Sequence, residues 1–215
     1  MENMKAKIRQ IFNAESSAIQ NIPVDDSYEK AVEMIYTQVH KKNGKLVTSG
    51  MGKAGQIAHN IATTFSSTGT PSVFLHPSEA QHGDLGILQK NDILLAISNS
   101  GKTREIIELI DLKNNLFPGI PVIVITGNDE SPLAQKCNCH ILTGAPAEVC
   151  PLGLTPTTST TVFTVIGDAL VVMMMEKIRF TAADYAKRHH GGYLGAKSRQ
   201  KSGIPKVIGK DNKRG

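Results

Sequence analysis

Only three cysteines, Cys137, Cys139 and Cys150, occur in the 215 residues. So small and odd a number builds no disulfide framework and fits a reducing cytosol. Cys137 and Cys139 with His140 lack the spacing of a zinc knuckle and read as small apolar residues near a strand. No apolar leader or cleavage pattern follows Met1, so secretion is not expected and a cytoplasmic location is. Long hydrophobic runs are lacking too. The most apolar stretch, Val162 to Met175, is interrupted by Gly167 and Asp168, which predicts a buried helix too short to span a bilayer.

The net charge of +5 is uneven. From Lys197 to Gly215 seven basic residues face one acid, Asp211, a balance of +6 that leaves residues 1–196 at −1. The basic excess therefore describes a solvated tail and not a binding face. That tail has no aromatic residue to stack on a base, so no nucleic-acid partner and no membrane partner are expected.

What is present is an ordinary globular composition, 40% hydrophobic and 20% charged, long enough for one large domain with a proper core. The expected organisation is a single domain over 1–200 and a basic tail over 201–215. Helical periodicity covers 4–20 and, from a cap at Asp25 or Asp26, about 26–42. Short, wholly apolar strands then alternate with helices: Lys45–Thr48, Ser72–Leu75, Asp92–Ile97, Pro121–Ile125 and an edge strand at His140–Leu142. Helices are expected over 56–67, 104–115, 132–136, from Pro156 to about Ile178, and from Thr181. This pattern predicts an α/β fold, a three-layer α/β/α sandwich on a five-stranded parallel sheet. In such sheets ligands sit beyond the carboxyl ends of the strands.

Five segments carry candidate chemistry. Ser98-Asn99-Ser100-Gly101-Lys102-Thr103 follows a strand and opens a helix, with three hydroxyls, a glycine and a lysine suited to a phosphate. Taken alone it is equally a hydroxyl-rich capping loop. The loop Gly50–Gly55 is expected to match neither nucleotide motif: its third glycine is read as one residue too early for the dinucleotide fingerprint, no clear acid ends the next strand, and no Walker spacing or Lys-Ser/Thr pair is present. Lys53 there opposes the helix dipole, which hints at function. His76 to Gly86 places two histidines and two acids after a strand. Glu148 precedes a Pro/Gly turn and a hydroxyl-rich run, and Arg188-His189-His190-Gly191-Gly192 sets histidines beside a glycine pair.

As a set, Gly50–Gly55, Phe65–Pro71, His76–Gly86, Ile97–Gly101, Cys150–Thr161 and His189–Gly195 resemble the sugar isomerase (SIS) domain over about residues 30–200. More narrowly they resemble its arabinose-5-phosphate isomerase branch. The resemblance implies a flavodoxin-like fold and an enzyme that interconverts ribulose 5-phosphate and arabinose 5-phosphate, feeding synthesis of Kdo for lipopolysaccharide or capsule. It implies functional positions at Lys53, Glu105, Glu148 and His189. It puts substrate contacts at Ser49, Gly50, Gly69, Thr70, His82, Ser98, Asn99, Ser100 and Thr103, and a metal or substrate position at His76. No cofactor is implied as required; a zinc ion at His76 would be incidental or inhibitory. Ala54 stands where members often have Ser, and His189-His190-Gly191-Gly192 replaces His-Pro-Gly-Gly. The CBS modules of many members are not expected, so a feedback ligand such as CMP-Kdo would act at the SIS domain. A homotetramer is expected.

Ketose–aldose isomerisation needs a base tuned toward neutrality and stabilisation of an enediolate, with the phosphate as a positioning handle. The expected roles are Glu148 as base, Lys53 on the enediolate, His189 in ring opening or proton shuttling, from a neighbouring subunit, and Glu105 as orienter. A phosphoheptose or hexulose 6-phosphate isomerase fits the same phosphate loop. A non-catalytic sugar-phosphate sensor also fits, but lacks room for a DNA-binding module in the roughly 25 residues before the domain.

Overall fold

The computed structural model of the chain describes residues 3–205. Helix α1 (Met4–Gln20) is capped by Asn3, whose side chain accepts from the Lys5 N–H. Helix α2 (Ser27–Ile35) runs on into a π-helical turn, Tyr36–Lys41. Then come β1 (Leu46–Gly50), α3 (Gly52–Ser67), β2 (Ser72–Phe74), the short α4 (Pro77–Ala80) and a 3-10 turn, Asp84–Ile87. β3 (Ile93–Ile97), α5 (Arg104–Leu116), β4 (Val122–Thr126), α6 (Pro132–Lys136) and β5 (Cys139–Leu142) complete the alternation. Three helices follow: α7 (Thr158–Lys177), α8 (Ala182–Arg188) and α9 (Gly192–Ser202).

The five strands are all parallel, in the order β2-β1-β3-β4-β5, which is the flavodoxin-like winding. β1, β3 and β4 are buried along their whole length because helices cover both faces. Alternation along the strands splits the core in two. Ile93, Leu95 and Ile97 pack with α2, α3 and α7, while Leu94 and Ala96 pack with α5 and α6. Asp92, fully buried, holds the start of β3 to the start of β1: it accepts from the Lys45 N–H, and its other oxygen meets Lys45 Nζ at 2.6 Å.

Several expectations need correction. α3 starts at Gly52 and not at Gln56, because Gly52 takes a left-handed φ of +56° that turns the chain directly from β1 into the helix. α7 starts at Thr158, after Pro156. By length and composition α7 is long and apolar enough to cross a membrane, contrary to the expectation of too short a run. Nine of its residues are nonetheless buried in the protein, most of them in the core with α3 and the sheet. Gly167 makes that packing close: a Cβ there would lie 2.5 Å from Ile61 Cδ1. The expected solvated tail begins too early, since Lys197, Arg199 and Lys201 lie on α9, which ends at Gly203 with a φ of +69°. The rest of the expected tail, 206–215, lies outside the described residues.

Candidate active site

The strand order reverses between β1 and β3, and the chains leaving these two strands part to opposite faces of the sheet. A crevice opens there by topology alone. Its floor on one side is the loop after β3. Ser98 N–H donates to the Ile125 carbonyl, and the Asn99 carbonyl accepts from the Gly127 N–H at 2.9 Å, so β4 fixes the loop's base. Gly101 takes a φ of +62°, and a Cβ there would lie 2.0 Å from Ser131 Oγ. No other residue fits that turn. The buried Ser98 Oγ meets Thr103 Oγ1 at 2.7 Å, closing the loop on itself. Thr103 is the N-cap of α5, yet its side chain caps no helical N–H, which leaves the first turn's donors facing the crevice.

The other side is the turn from β1 into α3. Gly50 and Gly55 touch backbone to backbone, since a Cβ on Gly55 would lie 2.5 Å from the Gly50 carbonyl oxygen. The glycines at 50, 52 and 55 do follow the dinucleotide spacing. However, β2 ends at Phe74 and is followed by Leu75 and His76, with no acid for a ribose. Lys53, in the first turn of α3, is exposed and makes no ion pair among the described residues.

The roof is the start of α7. The cleft so enclosed measures about 280 Å³ and is lined by Lys53 and Ala54 from α3, by Ser98, Asn99, Ser100 and Thr103 from the β3 loop, and by Pro156, Ser159 and Thr160 at the α7 entrance. Three helix amino termini thus border one small space with a lysine, although at α7 the Thr157 and Ser159 N–H groups are taken by Glu148. No role was expected for Ser159 and Thr160; the hydroxyl-rich run that contains them was the signal.

Glu148 sits on the α7 terminus. Its Oε2 accepts from the Thr157 N–H at 2.6 Å, the Thr157 hydroxyl at 2.9 Å and the Ser159 N–H at 3.3 Å. Burial pushes this carboxyl's pKa up, but the hydrogen bonds from Ser159 and Thr157 outweigh it and hold the group below its ordinary value. A base raised toward neutrality was expected. The helix terminus supplies donors that favour the ion, so the carboxylate is charged throughout the neutral range.

Glu148 is itself not among the residues that line the cleft; it is tied to it through Ser159, which lines the cleft and whose N–H it accepts. Other candidates fall elsewhere. Glu105 lies in the first turn of α5 but does not line the cleft. Ser49 is buried, its hydroxyl donating to the Leu75 carbonyl across strands. Gly50 and His76 line a neighbouring hollow with His59 and Phe74, on the far side of the α3 terminus. His82 is exposed, beyond α4. Gly69 and Thr70 precede β2, at the amino ends of the strands, so one chain cannot bring them to a cleft at the carboxyl ends, roughly 15 Å of strand away. Thr70 is buried there with its hydroxyl 3.0 Å from His40 Nε2. His189 is held between α8 and α9, its ring stacked 3.7 Å from that of Tyr185 and its Nδ1 3.0 Å from the Tyr185 carbonyl, and it does not line the cleft of its own chain.

A zinc ion at His76 finds one suitable atom: Nδ1 is buried without a hydrogen-bond partner. No group of three His, Cys, Asp or Glu side chains is placed to hold a metal among the described residues. The residues present therefore do not fit a zinc site.

The SIS domain family model matches residues 38–173. The arabinose 5-phosphate isomerase KdsD of Pseudomonas aeruginosa is 44% identical over 86% of this chain and 57% of its own length. The chain spans about half the length of the curated relatives it matches. Among solved structures, a Bacteroides fragilis protein described as a candidate phosphosugar isomerase involved in capsule formation is 68% identical. It covers 89% of this chain and all of its own, with a TM-score of 0.88. An Escherichia coli CFT073 protein, solved in complex with arabinose 5-phosphate, is 37% identical over 88% of this chain and all of its own, with a TM-score of 0.79. A parallel sheet with its phosphate-type loop at the switch point is what such a match requires, and this chain belongs to the SIS domain family.

Proposed function

We propose that the chain is an aldose–ketose isomerase that interconverts D-ribulose 5-phosphate and D-arabinose 5-phosphate. The observation that carries this reading is the convergence of the α3, α5 and α7 amino termini on one cleft that also holds Lys53. The names of the relatives supply the sugar.

In this reading the phosphate is gripped by Ser98, Asn99, Ser100 and Thr103 and by the α5 terminus. Glu148 takes the proton from C2 of the open-chain aldose and returns it to C1, while the hydroxyl proton moves from O2 to O1. Lys53 faces the enediolate oxygens, where a fixed positive charge is worth most. His189 and the Gly69–Thr70 segment come from other copies of the chain, with Glu105 as orienter and His82 at the sugar hydroxyls. A homotetramer is supported by the apolar residues left on α1, where Met4, Ile8 and Phe12 are exposed at four-residue spacing, and by exposed Val172 and Met173 on α7. The product feeds Kdo synthesis in the cytoplasm, with CMP-Kdo as a feedback ligand of the same cleft.

Incubating pure protein with arabinose 5-phosphate and detecting ribulose 5-phosphate tests the reading. Turnover of a phosphoheptose or a hexulose 6-phosphate alone would replace the substrate. Tight sugar-phosphate binding without turnover would favour a sensor.

A further inference from the structure

Threonine at a helix N-cap ordinarily turns its hydroxyl onto the N–H of the second or third helical residue. Thr157 holds that position on α7 and does otherwise: its side chain caps no helical N–H. Its hydroxyl faces back to Glu148 Oε2 at 2.9 Å, and its own N–H reaches the same oxygen at 2.6 Å. The hydroxyl also approaches the Thr155 carbonyl at 3.3 Å, but its single proton goes to the nearer, charged acceptor. Thr157 is itself braced, because the Thr160 hydroxyl donates to its carbonyl at 2.7 Å. The donors that reach Glu148 among the described residues, Thr157 twice and Ser159 once, all converge on Oε2.

We infer that Thr157 is a positioning residue for Glu148, binding Oε2 from two directions so that Oε1 alone is presented to the substrate proton. This rests on the reading of Glu148 as the base. A carboxylate free to rotate would offer either oxygen in many poses, whereas one oxygen pinned by a braced residue leaves the other at a set place and angle. The charged form is stabilised by Ser159 first and by Thr157 after it, so Thr157 shares in setting the pH at which the base becomes available. The charged and titratable groups around this corner are Glu15 of α1, which accepts from Thr158 Oγ1 at 3.4 Å, and Cys150 of the same loop, while Lys53 lines the cleft that Ser159 also lines. None of them donates to Oε2.

Thr157→Val removes the hydroxyl and keeps shape and backbone N–H. The expected result is an acid limb of the isomerisation profile moved to higher pH by about half a unit to one unit. With it, kcat falls about tenfold at the optimum while KM stays within about twofold. Thr157→Ser returns both. A merely structural threonine would lower the melting temperature and the folded fraction and leave the acid limb in place. A folded valine variant with the parent acid limb and kcat overturns the inference. Glu148→Gln, assayed alongside, separates the two levels. An inactive glutamine variant with a normal valine variant sinks the positioning role only, and an active glutamine variant sinks the base and the positioning role together.

Discussion

Ser98 Oγ and Thr103 Oγ1, five residues apart in the chain, meet at 2.7 Å and tie the first residue after β3 to the N-cap of α5. That bond shapes the loop before any ligand arrives, so the N–H groups it frames need no reorganisation to receive an oxyanion.

Removing the bond should therefore weaken phosphate binding more than chemistry. Ser98→Ala and Thr103→Val are each expected to raise KM for the sugar phosphate about tenfold, equivalent to about 1.4 kcal/mol, with kcat within about threefold. Steady-state kinetics decide it, and unchanged KM in both variants would argue that the loop does not hold the phosphate.

Lys53 is a misfit as a structural residue. It stands in the first turn of α3, where a positive charge opposes the helix dipole, and no carboxylate answers it among the described residues. Lys53→Gln should raise stability by about 0.3–1 kcal/mol in thermal melts while lowering kcat by about two to three orders of magnitude. A variant that loses stability along with activity would contradict this account.

Glu148 and His189 lie on different parts of the chain, and His189 does not line its own cleft. If it serves a second copy, Glu148→Gln and His189→Ala proteins, each inactive alone, should regain about a quarter of parental activity when refolded together as hybrids. Hybrids that assemble and stay inactive would overturn a role for His189 in the cleft of a second copy. The acid side of stability gives a second readout. Because the folded carboxyl lies below its ordinary value of 4.5, Glu148 contributes stability above that pH and loses it as pH falls through the folded value. Glu148→Gln should flatten the corresponding part of the acid-denaturation curve.

Gly167 carries no chemistry, yet α3 and α7 approach only because it has no Cβ. Gly167→Ala should cost about 1–3 kcal/mol in urea denaturation, since Ile61 is buried and has no room to yield. Ile61→Val in the same chain should recover part of it.

How much of this was legible beforehand differs from residue to residue. Runs such as Ile93–Ile97 and Val122–Ile125 are apolar at every position, which only a doubly covered parallel strand tolerates, so the sheet and its ligand-bearing edge were readable. The Ser98–Thr103 loop was readable for the same reason, being bounded by one such strand and a helix start. α9 was not, because two glycines and a run of basic residues disguise a helix whose ends are set by contacts: a Cβ on Gly195 would lie 2.3 Å from the His189 carbonyl oxygen. The separation of Gly69 and Thr70 from the cleft was equally invisible, since which end of the sheet a loop occupies depends on the direction of every crossover.

Local chemistry in the chain thus determined the alternation of elements, the glycine turn at Gly52, the capped phosphate-type loop and the presence of Lys53 at a helix start, because each depends on neighbours within a few residues. The tertiary structure decided what long-range packing alone can decide. It brought three helix termini together at the β1/β3 reversal and seated Glu148 as a charged cap on α7, held through Thr157. It also held His189 against Tyr185, away from the cleft of its own chain.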